Sequence, residues 1–207
     1  MNAEDLLGDI ALYYEDRLRQ FGATAAGVDW KDEASQTLRF DQLLKLVADP
    51  AASVIDFGCG AGALLGHMRR MGFSGAYRGL DISADMIGAA SSRYADETQA
   101  VFEVGAVPSA EADYAAASGI FNVRLDIGDD LWRSHVLATL ARMDRAGRRG
   151  FAFNCLTSYA DADRMKDYLF YADPCFYFDL CKRMYSRHVA LLHDYGLYEF
   201  TIIVRKD

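Results

Sequence analysis

Four cysteines are scattered over 207 residues, and no two of them form a C-x-x-C pair or fall at metal-ligand spacing with the four histidines. Cys59, Cys155, Cys175 and Cys181 therefore suggest neither a metal module nor a disulfide framework, and a reduced, cytoplasmic setting is expected. No apolar run approaches the roughly 18 residues of a membrane span, and acids rather than bases follow Met1, so neither a membrane anchor nor a signal peptide is expected. Positive charge is scarce: 22 Lys and Arg stand against 30 Asp and Glu, giving a net charge of -8. That balance opposes a nucleic-acid partner. The one basic cluster, Arg142, Arg145, Arg148 and Arg149, reads as a helix end whose cations complement the helix dipole. Internal repeats and low-complexity segments are absent apart from small alanine clusters.

What is present is concentrated in nine residues, Val54-Ile55-Asp56-Phe57-Gly58-Cys59-Gly60-Ala61-Gly62. A short apolar strand, Ser53 to Phe57, runs into a glycine turn that opens a helix, Ala61 to Met71, stopped by Gly72. Glycine suits such a turn because a backbone without Cβ lets a ligand lie against the peptide groups at a helix N-terminus. The same residues also satisfy the looser G-x-G-x-x-A dinucleotide pattern, so the glycines alone leave NAD(P) open. Asp56, two residues before the first glycine, weighs against it: a carboxylate repels a pyrophosphate and attracts an ammonium or sulfonium. Asp81 ends the next strand-like run, Ala76 to Asp81, where an acid suits a ribose diol.

Read from Asp56 to Gly62, the chain resembles the class I S-adenosylmethionine-dependent methyltransferases, whose first motif is an apolar strand, an acid and G-x-G-x-G. The resemblance implies S-adenosyl-L-methionine as cofactor and S-adenosyl-L-homocysteine as product. It places Asp56, Gly58, Cys59, Gly60 and Gly62 against the methionine part, Asp81 on both ribose hydroxyls, and Ile82 and Met86 beside the adenine. At the end of the fourth strand it implies that Ser118, Gly119 and Phe121 contact cofactor and that Asn122 faces substrate. The acid that often meets the adenine amino group is replaced here by Gly105-Ala106, so backbone at Ala106, or Glu103, would have to serve. The acidic or aromatic tetrapeptide of the DNA amino-methylating members is missing, which argues against a nucleic-acid base and for a small-molecule substrate.

The rest of the chain alternates as an α/β fold should. Leu7, Ile10, Tyr14, Leu18 and Phe21 recur at helical spacing, and a second helix from about Asp32 to Val47 ends before Pro50. After the glycine motif come a helix capped by Ser83, strands at Ala100 to Val104 and Asp113 to Ser118, a helix from Asp129 to Arg145, and a strand at Phe151 to Cys155. Val189 to Leu192 and Tyr198 to Val204 read as a closing antiparallel hairpin. We therefore expect a single Rossmann-like domain with a seven-stranded, mostly parallel sheet and helices on both faces. Its parts are a helical preface or lid (1–50), a cofactor core (51–156), an aromatic insert (157–185) and the terminal hairpin (186–207).

Ligands in open α/β sheets bind at the carboxyl ends of the strands, which directs the loops after Phe57, Asp81, Val104, Ser118 and Cys155 toward one site. Gln36 and Arg39 lie three apart on the second helix, and Arg39 is a candidate clamp for the cofactor carboxylate, with Trp30 or Tyr14 covering the site. The insert carries eight tyrosines and phenylalanines between Tyr159 and Tyr185, which suit either a substrate wall or core completion. For methyl transfer by in-line displacement the chain needs mainly positioning and, for a protic acceptor, a base. His193 in the hairpin turn is the first candidate base, and Asn122, Asp126, Asn154 and Tyr159 are candidates to orient an acceptor. An NAD(P)-dependent oxidoreductase and a non-catalytic S-adenosylmethionine-binding protein remain the alternatives.

Overall fold

The computed structural model describes residues 3–24, 27 and 32–206; Trp30 lies outside them. Among the described residues eight strands form one sheet. Six are parallel, five of them its body: β1 (Val54–Phe57), β2 (Tyr77–Asp81), β3 (Ala100–Val104), β4 (Ala112–Ala117) and β5 (Gly147–Thr157). The two-residue β6 (Tyr171–Ala172) adds to the end of β5, and the antiparallel pair β7 (His188–Leu192) and β8 (Glu199–Arg205) completes the sheet. The order β3-β2-β1-β4-β5-β8-β7 inserts the last strand between β5 and β7. The expected seven strands form this path; β6 is additional, built from the insert, and too short to leave a periodic signal. The fold is mixed α/β and Rossmann-like.

Side chains alternate across the sheet, so β1 sends Ile55 and Phe57 to one face and Val54 and Asp56 to the other. The first face is covered by α5 (Asp129–Ala146), through Trp132, Val136, Leu140 and Met143, at positions three and four apart. The second is covered by α2 (Glu33–Leu44) and α3 (Ala63–Arg70), through Phe40, Leu43, Leu64, Leu65 and Met68. Asp32 caps α2 and Ser83 caps α4 (Ala84–Arg93), each side chain accepting a backbone N–H three residues on. Asp173 caps α6 (Pro174–Met184), with Pro174 at its first position.

Residues 105–111 join β3 to β4 with no helix, although parallel crossovers usually need a dozen or more residues and a helix on the sheet. The area such a helix would cover is taken by α1 (Ala3–Phe21). Its Ile10 is buried in the cluster that holds Ile55, Phe57, Leu80 and Trp132. Glu15 accepts a hydrogen bond from Ser83 at 3.2 Å, and Arg19 pairs with Asp85 at 3.5 Å, fastening α1 to the start of α4. No described helix is long and apolar enough to cross a membrane.

The insert rings mostly complete the core. Tyr177 meets Phe153, Tyr185 meets Phe151, and both Phe170 and Tyr177 are buried.

Candidate functional site

The turn after β1 is built by its glycines. Gly58, Gly60 and Gly62 have φ of 72°, 52° and 76°, in the left-handed region. A Cβ on Gly58 would stand 2.1 Å from the Ile120 Cγ2, so the loop lies directly against the segment that follows β4. Gly62 differs. Its missing Cβ makes room for the Tyr94 ring, 2.6 Å from where that atom would be, and it starts α3 without lining the cavity. Gly62, expected against the cofactor, is placed here packing helix against ring.

Backbone bonds fix the loop to the end of β2. The N–H groups of Gly58 and Cys59 donate to the Leu80 carbonyl at 2.7 and 2.8 Å, and that of Gly105 donates to the Asp81 carbonyl at 2.8 Å. The Asp81 carboxylate accepts from the Gly60 N–H at 2.8 Å and the Ser83 N–H at 2.9 Å. Two carboxylate oxygens offer about four acceptor positions, which leaves capacity for a ligand diol. Burial pushes the Asp81 pKa up, while these backbone donors oppose the shift.

Asp56 is buried beneath the same loop. Its Oδ2 accepts from the Tyr77 hydroxyl at 2.6 Å, and its Oδ1 has no hydrogen-bond partner among the described residues. Burial raises its pKa to about 7, opposed by the Tyr77 bond and reinforced by Asp81. The same burial, with the fields of both acids, holds the Cys59 thiol protonated well above its usual range. Cys59 is thus a packing group rather than a nucleophile.

Around these acids lies a cavity of about 550 Å³. The structure brings Asp56, Gly58, Cys59, Gly60, Asp81, Ile82, Met86, Ala106, Ser118 and Gly119 together around it. So do Tyr14 and Gln36. Ser118 presents a hydroxyl with no hydrogen-bond partner among the described residues.

Other candidate residues lie away from the cavity. Phe121 is fully buried with its ring against Phe153, and Ile120 lines the cavity in its place. Asn122 faces the core: its Oδ1 accepts from the Leu156 N–H at 3.0 Å, bracing β5. Asn154 does similar work, accepting from the Gly119 N–H at 2.7 Å. His193 is exposed on the hairpin turn beside Tyr159 and outside the cavity, and Asp126 is exposed as well. Glu103 is held by Arg78 and Ser109, away from the cavity. None of the insert's rings lines the cavity; Phe170, Tyr171, Phe176 and Tyr177 border a separate cleft of about 250 Å³ with Arg133.

Arg39 points the other way along α2. Its Nε donates to the Glu199 Oε2 at 2.7 Å in a buried ion pair that ties α2 to β8, and it does not line the cavity. Removing one partner of such a pair leaves a buried charge uncompensated, at a cost of about 3–5 kcal/mol. Arg39→Ala should therefore lower the melting temperature by roughly 10 °C while leaving the cofactor Kd, measured well below the melt, within about twofold. Calorimetry showing the reverse, an intact melt and weakened cofactor binding, would restore the clamp.

The residue that sequence reasoning missed is His135. It lines the cavity from the middle of α5, stacked obliquely on Trp132 with ring centroids 5.0 Å apart. Burial and the nearby Arg142 depress its pKa to about 4. The available signal was its spacing, three after Trp132 and four before Thr139 on one helix face.

Residues 30–131 match the family model of the methyltransferase domain. A Mycobacterium tuberculosis protein named "Putative methyltransferase Rv1506c" is 57% identical over 159 residues, 77% of this chain and 95% of that one. Among solved structures, the DhpI complex with SAM and HEP has a TM-score of 0.67 at 16% identity over 100% of both chains. Magnesium protoporphyrin IX methyltransferase of Synechocystis PCC 6803 with bound SAM has a TM-score of 0.66 at 16% identity, over 100% of this chain and 98% of that one. Such distant structures attest the fold; the Mycobacterium relative, aligned over three quarters of the chain, joins a glycine loop flanked by two acids to place this protein in the class I S-adenosylmethionine-dependent methyltransferase family.

Proposed function

We propose that the enzyme binds S-adenosylmethionine across the glycine loop and transfers its methyl group to an oxygen or nitrogen of a small molecule, with S-adenosylhomocysteine as the product. The observation that carries this reading is the pair of buried acids on either side of the loop, one with an oxygen lacking a hydrogen-bond partner among the described residues. A buried acid under the loop with a pKa of about 7 gives up its proton beside a cationic ligand and, once ionised, attracts that ligand and repels a pyrophosphate. That preference favours a sulfonium cofactor over NAD(P). When bound, the cofactor supplies an electrophilic methyl group on a positively charged sulfur.

The chain's own residues have three tasks. Asp81, held by the Gly60 and Ser83 N–H groups, orients a ribose. Gly58 and Gly60 let the ligand approach the backbone closely, and Ile82 and Met86 provide an apolar seat beside it. The cavity walls exclude water and hold the acceptor in line, which is most of what a displacement at an activated methyl requires. The overall charge of -8 and the walled cavity support a small acceptor rather than a nucleic acid.

The test is a thermal-shift series with S-adenosylmethionine, S-adenosylhomocysteine, NAD and NADP. A ligand bound only by the folded state raises the melting temperature, by an amount set by its concentration relative to Kd. The two sulfur compounds should each raise it by several degrees at 100 times Kd and the nicotinamides should not. A shift with NAD or NADP alone would overturn the reading.

A further inference from the structure

The segment that follows β2 turns Asp81, Ile82 and Met86 to the cavity. Ser83, between them, does not line it. It is fully buried and holds both ends of the segment: its N–H donates to the Asp81 carboxylate at 2.9 Å, and its Oγ accepts from the Met86 N–H at 3.2 Å. A hydroxyl has one proton and two lone pairs, so the lone pair offered to Met86 depends on where the proton is aimed. The acceptor for that proton is the Glu15 Oε1 on α1, at 3.2 Å.

Glu15 is 18% exposed and does not line the cavity, although its neighbour Tyr14 does. Leu7, Ile10, Tyr14 and Leu18 recur at three and four residues along α1 and all line the cavity. The helix therefore turns one stripe to the ligand space and Glu15 to the flank that meets α4. A second tie between the two helices, Arg19 to Asp85 at 3.5 Å, joins side chains that are both more than half exposed, and such pairs contribute little. The Glu15–Ser83 bond is the shielded one.

We infer that Glu15 is a positioning residue for the cofactor: through the Ser83 hydroxyl it fixes the turn that brings Asp81 to the ribose and Met86 to the adenine. The inference rests on the cofactor reading above and adds a residue outside the cavity to it. Glu15 touches no ligand atom. Its removal leaves the Ser83 O–H unpaired in a buried place, and a buried donor without a partner is costly enough to drive the hydroxyl toward another acceptor. The Met86 and Asp81 bonds shift with it. A ribose diol needs the Asp81 oxygens held in place, so the loss is read in cofactor affinity.

The experiment titrates S-adenosylhomocysteine calorimetrically into wild-type protein and its variants. Glu15→Ala should raise the Kd about 5-fold or more, as expected for members of one hydrogen-bond network. Alanine is the best helix former, so α1 should keep its helix and the circular dichroism spectrum should be unchanged. Glu15→Gln retains an acceptor oxygen and should restore most of the affinity. Arg19→Ala, which cuts only the exposed tie, should stay within about twofold of wild type. Where Asp81 is already alanine, Glu15→Ala should add less than about twofold, because residues that act through one another are not additive. Wild-type protein that fails to bind S-adenosylhomocysteine overturns both readings. Wild-type protein that binds it, beside a Glu15→Ala variant of equal affinity or a Glu15→Gln variant as weak as the alanine one, overturns this inference alone. So does an Arg19→Ala variant as weak as Glu15→Ala, since docking of α1 would then carry the effect, and so does a penalty of full size in the Asp81→Ala background.

Discussion

Asp81→Ala should raise the Kd for S-adenosylhomocysteine about 100-fold or more in calorimetric titration. Hydrogen bonds to a charged group contribute about 1.5–3 kcal/mol each, and a ribose diol would lose two of them. The same change releases the Gly60 and Ser83 N–H groups, which Asp81 now holds at 2.8 and 2.9 Å, so the loop loses its tie to β2 as well. Asp81→Asn keeps an acceptor oxygen and the local shape; it should fall between wild type and Ala. Both variants should retain the wild-type circular dichroism spectrum, because the core clusters do not include this side chain. A Kd for the Ala variant within about threefold of wild type would remove Asp81 from the site.

Asp56 should make cofactor binding depend on pH. Its folded-state pKa of about 7 lies above the ordinary value of 3.8, so the folded, ligand-free protein holds a proton that the unfolded chain releases at lower pH. The contribution of this group to stability is therefore complete below about pH 4 and is lost as pH rises through about 7. The loss is on the order of 4 kcal/mol at one pKa unit per 1.4 kcal/mol. A cationic ligand above the loop reverses the preference by favouring the carboxylate. Binding should then release a proton, and affinity should fall by up to about tenfold for each pH unit below 7 and level off above it. Calorimetry in buffers of different ionisation enthalpy at pH 6 should report close to one proton released. Asp56→Asn should bind at least 10-fold more weakly at pH 8 and show no dependence between pH 6 and 8 beyond that of Asp81. A wild-type Kd that is flat across this range would exclude a cation over Asp56.

Most of the glycine-loop side of the cavity was legible in the order of residues. A βα turn is a local structure: strand, glycines and helix follow one another within twenty residues, and the next strand tip is fixed relative to them by parallel pairing. Asp56, Gly58, Gly60 and Asp81 fall together for that reason. The same logic carried the hairpin, whose alternation at Glu199 to Arg205 is visible along one strand, although its insertion between β5 and β7 requires the pairing itself.

What the sequence did not show is the direction of side chains that depend on distant partners. Asn122 looked available to substrate because it follows β4, yet its amide satisfies the Leu156 N–H on another strand. Arg39 shares α2 with Gln36, and only the arrival of Glu199, 160 positions later, draws it into the core while Gln36 faces the cavity. Ile120, which carried no expectation, lines the cavity in place of Phe121 because consecutive residues leave the chain in opposite directions.

By itself the sequence determined the glycine-loop side of the cavity: Gly58 and Gly60, an acid before them and an acid after them specify a backbone cradle and a charge pattern through short-range geometry. The tertiary structure alone decided the far wall of the cavity. His135 gains its environment from α1, which fills the area that a β3–β4 helix would otherwise occupy, and from burial that keeps its ring uncharged. Neither effect is local, since each depends on which helix covers which face of the sheet.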